Sequence, residues 1–432
     1  MLAWLLHLKI QDISFLATVA GLTVVAVLAL ILRRPTKRWM LTASIGVTSG
    51  AGVGYLLAWL VGDVWNLFGA QLSTSETLWV ALVFSGLGLA IVSTWRSQWW
   101  RKLVALVAVP LVIVTGCAFV NADVGYYTDV SDALGMQQYQ GGALGHEHGD
   151  PLHGTIPVVD TTTWTPPADL PKAGEVLSVA IPGTVSHFAA RDAVVYLPPA
   201  ARVADPPALP VIIALSGQPG SPSDWFASGH IAQVMDAYAA AHKGIAPIVV
   251  SPDQLGPTAS NTMCVNSPLG NSATYVTTDV VDWVTSHLYV ATDRDAWSLF
   301  GFSQGATCSS QFLTGDPARF GSMLAVSSEI GPENGPDTVA QAFDGSQAEY
   351  AAAMPIAKMH AHGRYRDTLA VFAVGSEDSR YVGWDEQLHA AAQREGMNTQ
   401  LYVSPGTGHD WFTVAYGVQK GMPAVLAHMG LG

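Results

Sequence analysis

The sequence predicts two unlike parts. The first is an all-α region of four membrane-spanning helices. The second is an α/β domain with a mostly parallel central sheet and helices on both faces. Three observations predict this. Four apolar runs without Asp, Glu, Lys or Arg follow one another at the N-terminus. After about residue 175, short runs rich in β-formers alternate with longer helix-patterned segments, the pattern of βαβ units. One such run ends in Gly301-Phe302-Ser303-Gln304-Gly305, a serine between two glycines where a strand would turn sharply into a helix.

The apolar runs are Ile13–Leu32, Trp39–Val61, Leu78–Trp95 and Leu103–Val120. Each is long enough to cross a hydrocarbon core of ~30 Å. Over the whole chain 50% of residues are hydrophobic and 12% charged, too apolar for an ordinary soluble enzyme. A cleaved signal peptide would explain the first run alone. Arg33, Arg34, Lys37 and Arg38 follow the first run, and Arg96, Arg101 and Lys102 follow the third. The loop 62–77 has neither Lys nor Arg. Under the positive-inside rule the two basic loops are cytoplasmic, so everything after Val120 is expected outside. Residues 1–122 are therefore read as a multi-pass anchor in the cell membrane.

Residues 123–174 read as an extracytoplasmic linker rich in Gly, Pro, Thr and Asp. His146, Glu147, His148 and His153 cluster there, but no strand or helix pattern would hold them around an ion, and no metal or cofactor is expected. Residues 126–432 carry 12 Lys and Arg against 29 Asp and Glu, a formal −17. That balance argues against nucleic acid as a partner. It also argues against docking on anionic lipid headgroups, which leaves anchoring to the helices.

Residues 175–432 are read as the catalytic domain. Leu209–Leu215 is a strand ending in Ser216-Gly217-Gln218-Pro219-Gly220. Ala246–Val250 is a second strand, and Ala296–Phe300 leads into the serine turn. Thr368–Val374 delivers Gly375-Ser376-Glu377-Asp378 at its C-terminal end, where open α/β sheets place their sites. Gln400–Val403 runs into a glycine-rich loop carrying His409. Helices are expected near Asp224–Ala241, Thr274–Leu288, Gln304–Leu313, Val382–Glu395 and Trp411–His428. Serine, then carboxylate, then histidine is the chain order in which an elbow serine, an orienting acid and a base are found. Ser303 and His409 are the candidate nucleophile and base. Asp378 is preferred over Glu377 as the acid, because its shorter side chain suits a tight loop. The N–H groups of Gln304 and Gln218 are the candidate oxyanion donors.

These motifs resemble those of the Putative esterase family of α/β-hydrolases, which includes esterase D-like carboxylesterases and mycolyltransferases. The resemblance rests on Ser216-Gly217-x-x-Gly220 with Trp225, on Gly301-Phe302-Ser303-Gln304-Gly305, on Gly375-x-x-Asp378, and on Gly408-His409-Asp410-Trp411. It covers about residues 175–430 and implies an α/β-hydrolase fold. It also implies an acyl-accepting Ser303, an orienting Asp378 and a basic His409. Ser216 stands where the family commonly has His or Asp. Val414 departs from the second aromatic common in mycolyltransferases.

Three cysteines are present. Cys117 lies within the fourth apolar run. Cys264 and Cys308 fall in the expected oxidising compartment, as a disulfide or as two buried thiols. The expected function is a membrane-anchored serine carboxylesterase acting through an acyl-enzyme on an acyl ester, such as a cell-envelope lipid. The rivals are an acyltransferase that passes the acyl group to a sugar or lipid hydroxyl, and a non-catalytic scaffold.

Overall fold

The run Trp297–Phe302 is apolar and fully buried, so both faces of its strand must be covered by helices. That requirement organises the C-terminal unit in the computed structural model, which describes residues 2–65, 69–136, 139–141, 154–257 and 260–432. His146, Glu147, His148 and His153 lie outside the described residues. The chain divides into two units, Met1–Met136 and Gln137–Gly432.

The first unit holds four long helices: α1 (Ile13–Ile31), α2 (Lys37–Trp59), α3 (Thr74–Thr94) and α4 (Trp99–Val124). All four are long and apolar enough to cross a membrane. Two of them start at side-chain caps. The Thr36 hydroxyl accepts from the Trp39 N–H, and Ser73 with Glu76 forms a capping box. Gly125, in the left-handed region, ends α4. Helices α2 and α3 approach closely through small residues: a Cβ on Gly88 would lie 2.0 Å from the Gly46 carbonyl oxygen. Cys117 is exposed on the α4 surface.

The second unit is built on a sheet of nine strands among the described residues. These are β1 (Gln140–Gly141), β2 (Glu175–Val179), β3 (Ala193–Leu197), β4 (Val211–Leu215) and β5 (Ile248–Ser251), then β6 (Trp297–Phe302), β7 (Ser322–Val326), β8 (Leu369–Gly375) and β9 (Asn398–Ser404). Their order is β1-β2-β3-β5-β4-β6-β7-β8-β9. β3 is antiparallel to β2 and β5, and all other pairings are parallel. The helices include α5 (Ile231–Ala241), α6 (Val280–His287), α7 (Gln304–Gly315), α8 (Ser379–Arg394) and α9 (Trp411–Leu426).

Two expectations differ from the structure. The helix expected over Asp224–Ala241 is broken: Asp224–Ala227 stops, and α5 restarts after His230, whose φ is 49°. The break lets Gly229 pass close to Trp225 and Trp411, where a Cβ would have no room. The segment 123–174 is not uniformly a linker either. α4 reaches Val124, β1 joins the sheet edge, and residues from 154 lie along the second unit. There the Ile156 N–H donates to Thr292 Oγ1 and the Val159 N–H to the Ala208 carbonyl. From residue 154 on, prolines and glycines interrupt helix formation, and backbone groups there bond to neighbouring segments instead.

Candidate active site

The site is assembled at the C-terminal ends of six adjacent strands. In sheet order, β5 leads to Asp253 and Gln254, β4 to Ser216–Gly220, β6 to Ser303, β7 to Glu329, β8 to Asp378 and β9 to His409.

Ser303 has φ 56° and ψ −123°, a conformation costly for a non-glycine residue. Its N–H is held by the Val326 carbonyl at 2.9 Å. The flanking glycines are required by close approach. A Cβ on Gly301 would lie 2.1 Å from the Gly305 carbonyl oxygen, and one on Gly305 would lie 2.1 Å from that of Leu215. Gln304 is the first residue of α7, so its N–H belongs to the first turn, which has no intrahelical acceptors. Gly217, in the loop after β4, comes so near that a Cβ there would lie 3.3 Å from the Ser303 Cβ. Gln218, next in the chain, is half-buried.

The acid and histidine loops are stitched together. The Ser376 N–H donates to the Ser404 carbonyl, the Gly406 N–H to Ser376 Oγ, and the Glu377 N–H to the Thr407 carbonyl. A Cβ on Gly375 would come within 2.3 Å of the Gly408 carbonyl oxygen, so glycine lets the two loops touch. In this arrangement His409 Nδ1 lies 2.7 Å from Asp378 Oδ2, with Asp378 buried and His409 partly buried. The neighbouring Glu377 is exposed. Asp410 instead caps α9, accepting from the Thr413 N–H at 2.8 Å and from the Gly408 N–H at 2.7 Å. The imidazole lies between two rings, Phe302 at 4.9 Å and Tyr381 at 4.3 Å between centroids.

Several residues of the site went unnoticed in the sequence. Gln254 donates to the Ser216 carbonyl at 2.6 Å and to Gln304 Oε1 at 3.1 Å. Glu329, buried, accepts from Thr307 Oγ1 on α7 at 3.1 Å. Burial, and secondarily the charge of Glu333, push its carboxyl up to about 8. Asp385, on α8, is also fully buried and accepts from the Ser328 N–H at 3.3 Å. Burial raises its carboxyl well above the usual range. The signal that marks Asp378, a carboxylate after an apolar strand, is present again at Met323–Glu329 and would have found Glu329. Nothing in the local pattern marks Gln254, Tyr381 or Asp385.

Cys264 and Cys308 are joined in a disulfide, with Cα atoms 5.4 Å apart. It links α7 to the loop that carries Asn261. The Gln304 side chain meets that loop at Asn261 Oδ1 (3.3 Å) and Cys264 Sγ (3.8 Å).

A buried carboxylate bonded to Nδ1 fixes an imidazole in the tautomer whose Nε2 is free to accept a proton. With a serine on a strand-to-helix elbow and a mostly parallel sheet, this defines an α/β-hydrolase. Residues 189–412 match the model of the family described as Putative esterase, and the chain belongs to that family. The chain is 33% identical over 264 residues to an uncharacterized protein of Corynebacterium glutamicum. That match covers 58% of this chain and 62% of the relative's length. Among solved structures, a ferulic acid esterase superposes with a TM-score of 0.52 at 18% identity, covering 60% of this chain and 99% of its own. The S-formylglutathione hydrolase of Agrobacterium tumefaciens gives 0.51 at 16%, covering 60% and 97%. At these identities the likeness is one of fold.

Proposed function

We propose that this chain is a membrane-anchored, extracytoplasmic serine carboxylesterase that works through an acyl-enzyme. The 2.7 Å contact between His409 Nδ1 and Asp378 Oδ2, beside an elbow serine, carries this reading. Ser303 Oγ attacks the ester carbonyl while its proton passes to His409 Nε2. The tetrahedral oxyanion is met by the N–H groups of Gln304 and Gln218. His409 then gives the proton to the departing alcohol. Water enters, loses a proton to His409 and attacks the acyl-enzyme. As the acyl–oxygen bond breaks, the proton returns to Ser303 Oγ. Asp378 holds the imidazole throughout and steadies its charged form. The basic loops at 33–38 and 96–102 support placing the domain outside the cytoplasm.

Four apolar helices would keep the domain beside a bilayer, which favours a lipid ester as substrate and a sugar or lipid hydroxyl as alternative acceptor. The test is labelling of the full chain by a fluorophosphonate, followed by turnover of esters of increasing chain length. Ser303→Ala should abolish labelling and lower kcat by about 10⁴-fold or more without unfolding the domain. Labelling that survives in Ser303→Ala would move the nucleophile elsewhere. No labelling of the wild type would favour a non-catalytic scaffold. Acylated sugar among the products would favour the transferase reading.

A further inference from the structure

Two aromatic rings pack on the His409 imidazole. Phe302 lies 4.9 Å away between centroids and is tilted 30° from parallel. Tyr381 lies 4.3 Å away and is tilted 42°. At these tilts each ring turns its π face toward the imidazole more than its edge. Both rings are held in place. Phe302 is the last residue of β6, next to Ser303, and is backed by Trp411 at 5.2 Å. Tyr381 stands in the first turn of α8, three residues beyond Asp378, with no exposed surface. Trp384 meets it edge-on at 5.0 Å. The segments that deliver the candidate nucleophile and acid thus each deliver a ring to the candidate base. The proposed reaction leaves these rings without a role.

We infer that Phe302 and Tyr381 are positioning residues for the reaction: their π faces stabilise the protonated form of His409. The inference rests on the proposed acyl-enzyme reading, in which His409 is the base. As Ser303 Oγ bonds to the acyl carbon, its proton passes to Nε2 and the imidazole becomes a cation. Nδ1 keeps its proton on Asp378, 2.7 Å away. The charge spreads over the whole ring, but an imidazolium makes hydrogen bonds only in its plane, through its two N–H groups. Asp378 and the reacting oxygens occupy that plane. What remains are the two faces, and aromatic rings offer these the negative side of their quadrupole. A cation within about 6 Å of a ring centroid is attracted in this way. Both rings lie inside that range.

The attraction is differential. It is weak while His409 is neutral and grows as the ring takes the proton. It therefore favours the transition state over the resting enzyme, which is the condition for raising kcat. The charge is lost when the departing alcohol takes the proton. It forms again when water gives a proton to His409, so the same rings act in both halves of the reaction. They differ from the oxyanion donors, which address the substrate oxygen, and from Asp378, which addresses Nδ1.

The test uses the full-length chain in detergent with a p-nitrophenyl ester. Fluorophosphonate labelling of the wild type and its loss in Ser303→Ala and His409→Ala come first, because their failure removes the nucleophile and base assignments independently of the rings. Given that labelling, Phe302 is replaced by phenylalanines carrying one, two and three ring fluorines. These keep the size and shape of the ring and drain negative charge from its face. kcat should fall stepwise along the series, to about 5- to 10-fold below wild type at three fluorines, the loss of one cation–π contact. KM and melting temperature should hardly change. At position 381, the three-fluorine phenylalanine should be slower than Tyr381→Phe by a similar factor. A purely packing role would leave kcat flat along the series, and that result overturns the inference. A loss confined to KM would make Phe302 a substrate contact and would overturn it as well. If the three-fluorine variant fails to melt cooperatively, the variants with one and two fluorines are compared with wild type, and equal kcat values would sink the proposal.

Discussion

Gln254 and Gln304 are hydrogen-bonded side chain to side chain at 3.1 Å, both buried, and the same Gln254 amide donates to the Ser216 carbonyl at 2.6 Å. One side chain after β5 thereby braces the loop after β4 and the start of α7. These are the two places from which the proposed oxyanion donors come. Small displacements of such donors are costly, because their value depends on being aimed before charge develops.

Gln254→Ala should therefore lower kcat by about 10-fold while changing KM little, since the brace touches no substrate. The melting temperature should fall by a few degrees from lost buried hydrogen bonds. Steady-state kinetics and a melting curve on the same preparation check this. Unchanged kcat would show that the two loops hold their positions without the brace.

Asp378→Asn should lower kcat by about 10⁴-fold, because an amide cannot hold His409 in the required tautomer. Glu377→Gln should stay within about twofold, as its side chain is exposed. The ratio of the two kcat values is the measurement, and a reversed order would transfer the orienting role to Glu377.

Loss of the Cys264–Cys308 bridge should act on stability before activity. The bridge spans a sequence separation of 44, which predicts roughly 2–4 kcal/mol through the unfolded chain. Cys264→Ala/Cys308→Ala should therefore melt several degrees lower than wild type. A smaller kcat loss should follow, because Asn261 and Cys264 flank the Gln304 side chain. Thermal melts with and without reductant, with peptide mapping, check it.

Glu329 gives stability a pH dependence of known sign. Its carboxyl shifts from 4.5 up to about 8 in the folded protein, chiefly through burial. The folded state therefore keeps a proton that the unfolded chain has lost. This contribution is fully present below about pH 4.5 and is lost as pH rises through about 8. Asp385 acts in the same direction. Glu329→Gln should flatten the decline in melting temperature between pH 5 and 8, by an amount equivalent to about 1–3 kcal/mol. An unchanged slope would place the effect elsewhere.

For topology, a reporter active only outside the cytoplasm should work when fused after Gly432. It should be silent when fused within Arg33–Arg38. The reverse pattern would put the catalytic domain inside and remove the oxidising environment the disulfide needs.

The sequence alone determined the four apolar helices, the parallel α/β domain and the serine–carboxylate–histidine order. Each of these is a local property of the chain: length without charge, β-forming runs between breakers, a serine between two glycines. Tertiary structure decided the rest. Asp378, the acid the sequence favoured over Glu377, faces His409 because the loops after β8 and β9 are stitched together by hydrogen bonds that no local pattern encodes. Gln254, Tyr381 and Glu329 lie far from Ser303 in sequence. They come into its neighbourhood, at Gln304, Thr307 and His409, because β5, β4, β6, β7 and β8 stand side by side in the sheet. Burial, which makes Glu329 an acid unlike any surface glutamate, belongs to the packed fold, since desolvation depends on what surrounds a group and not on its neighbours in the chain.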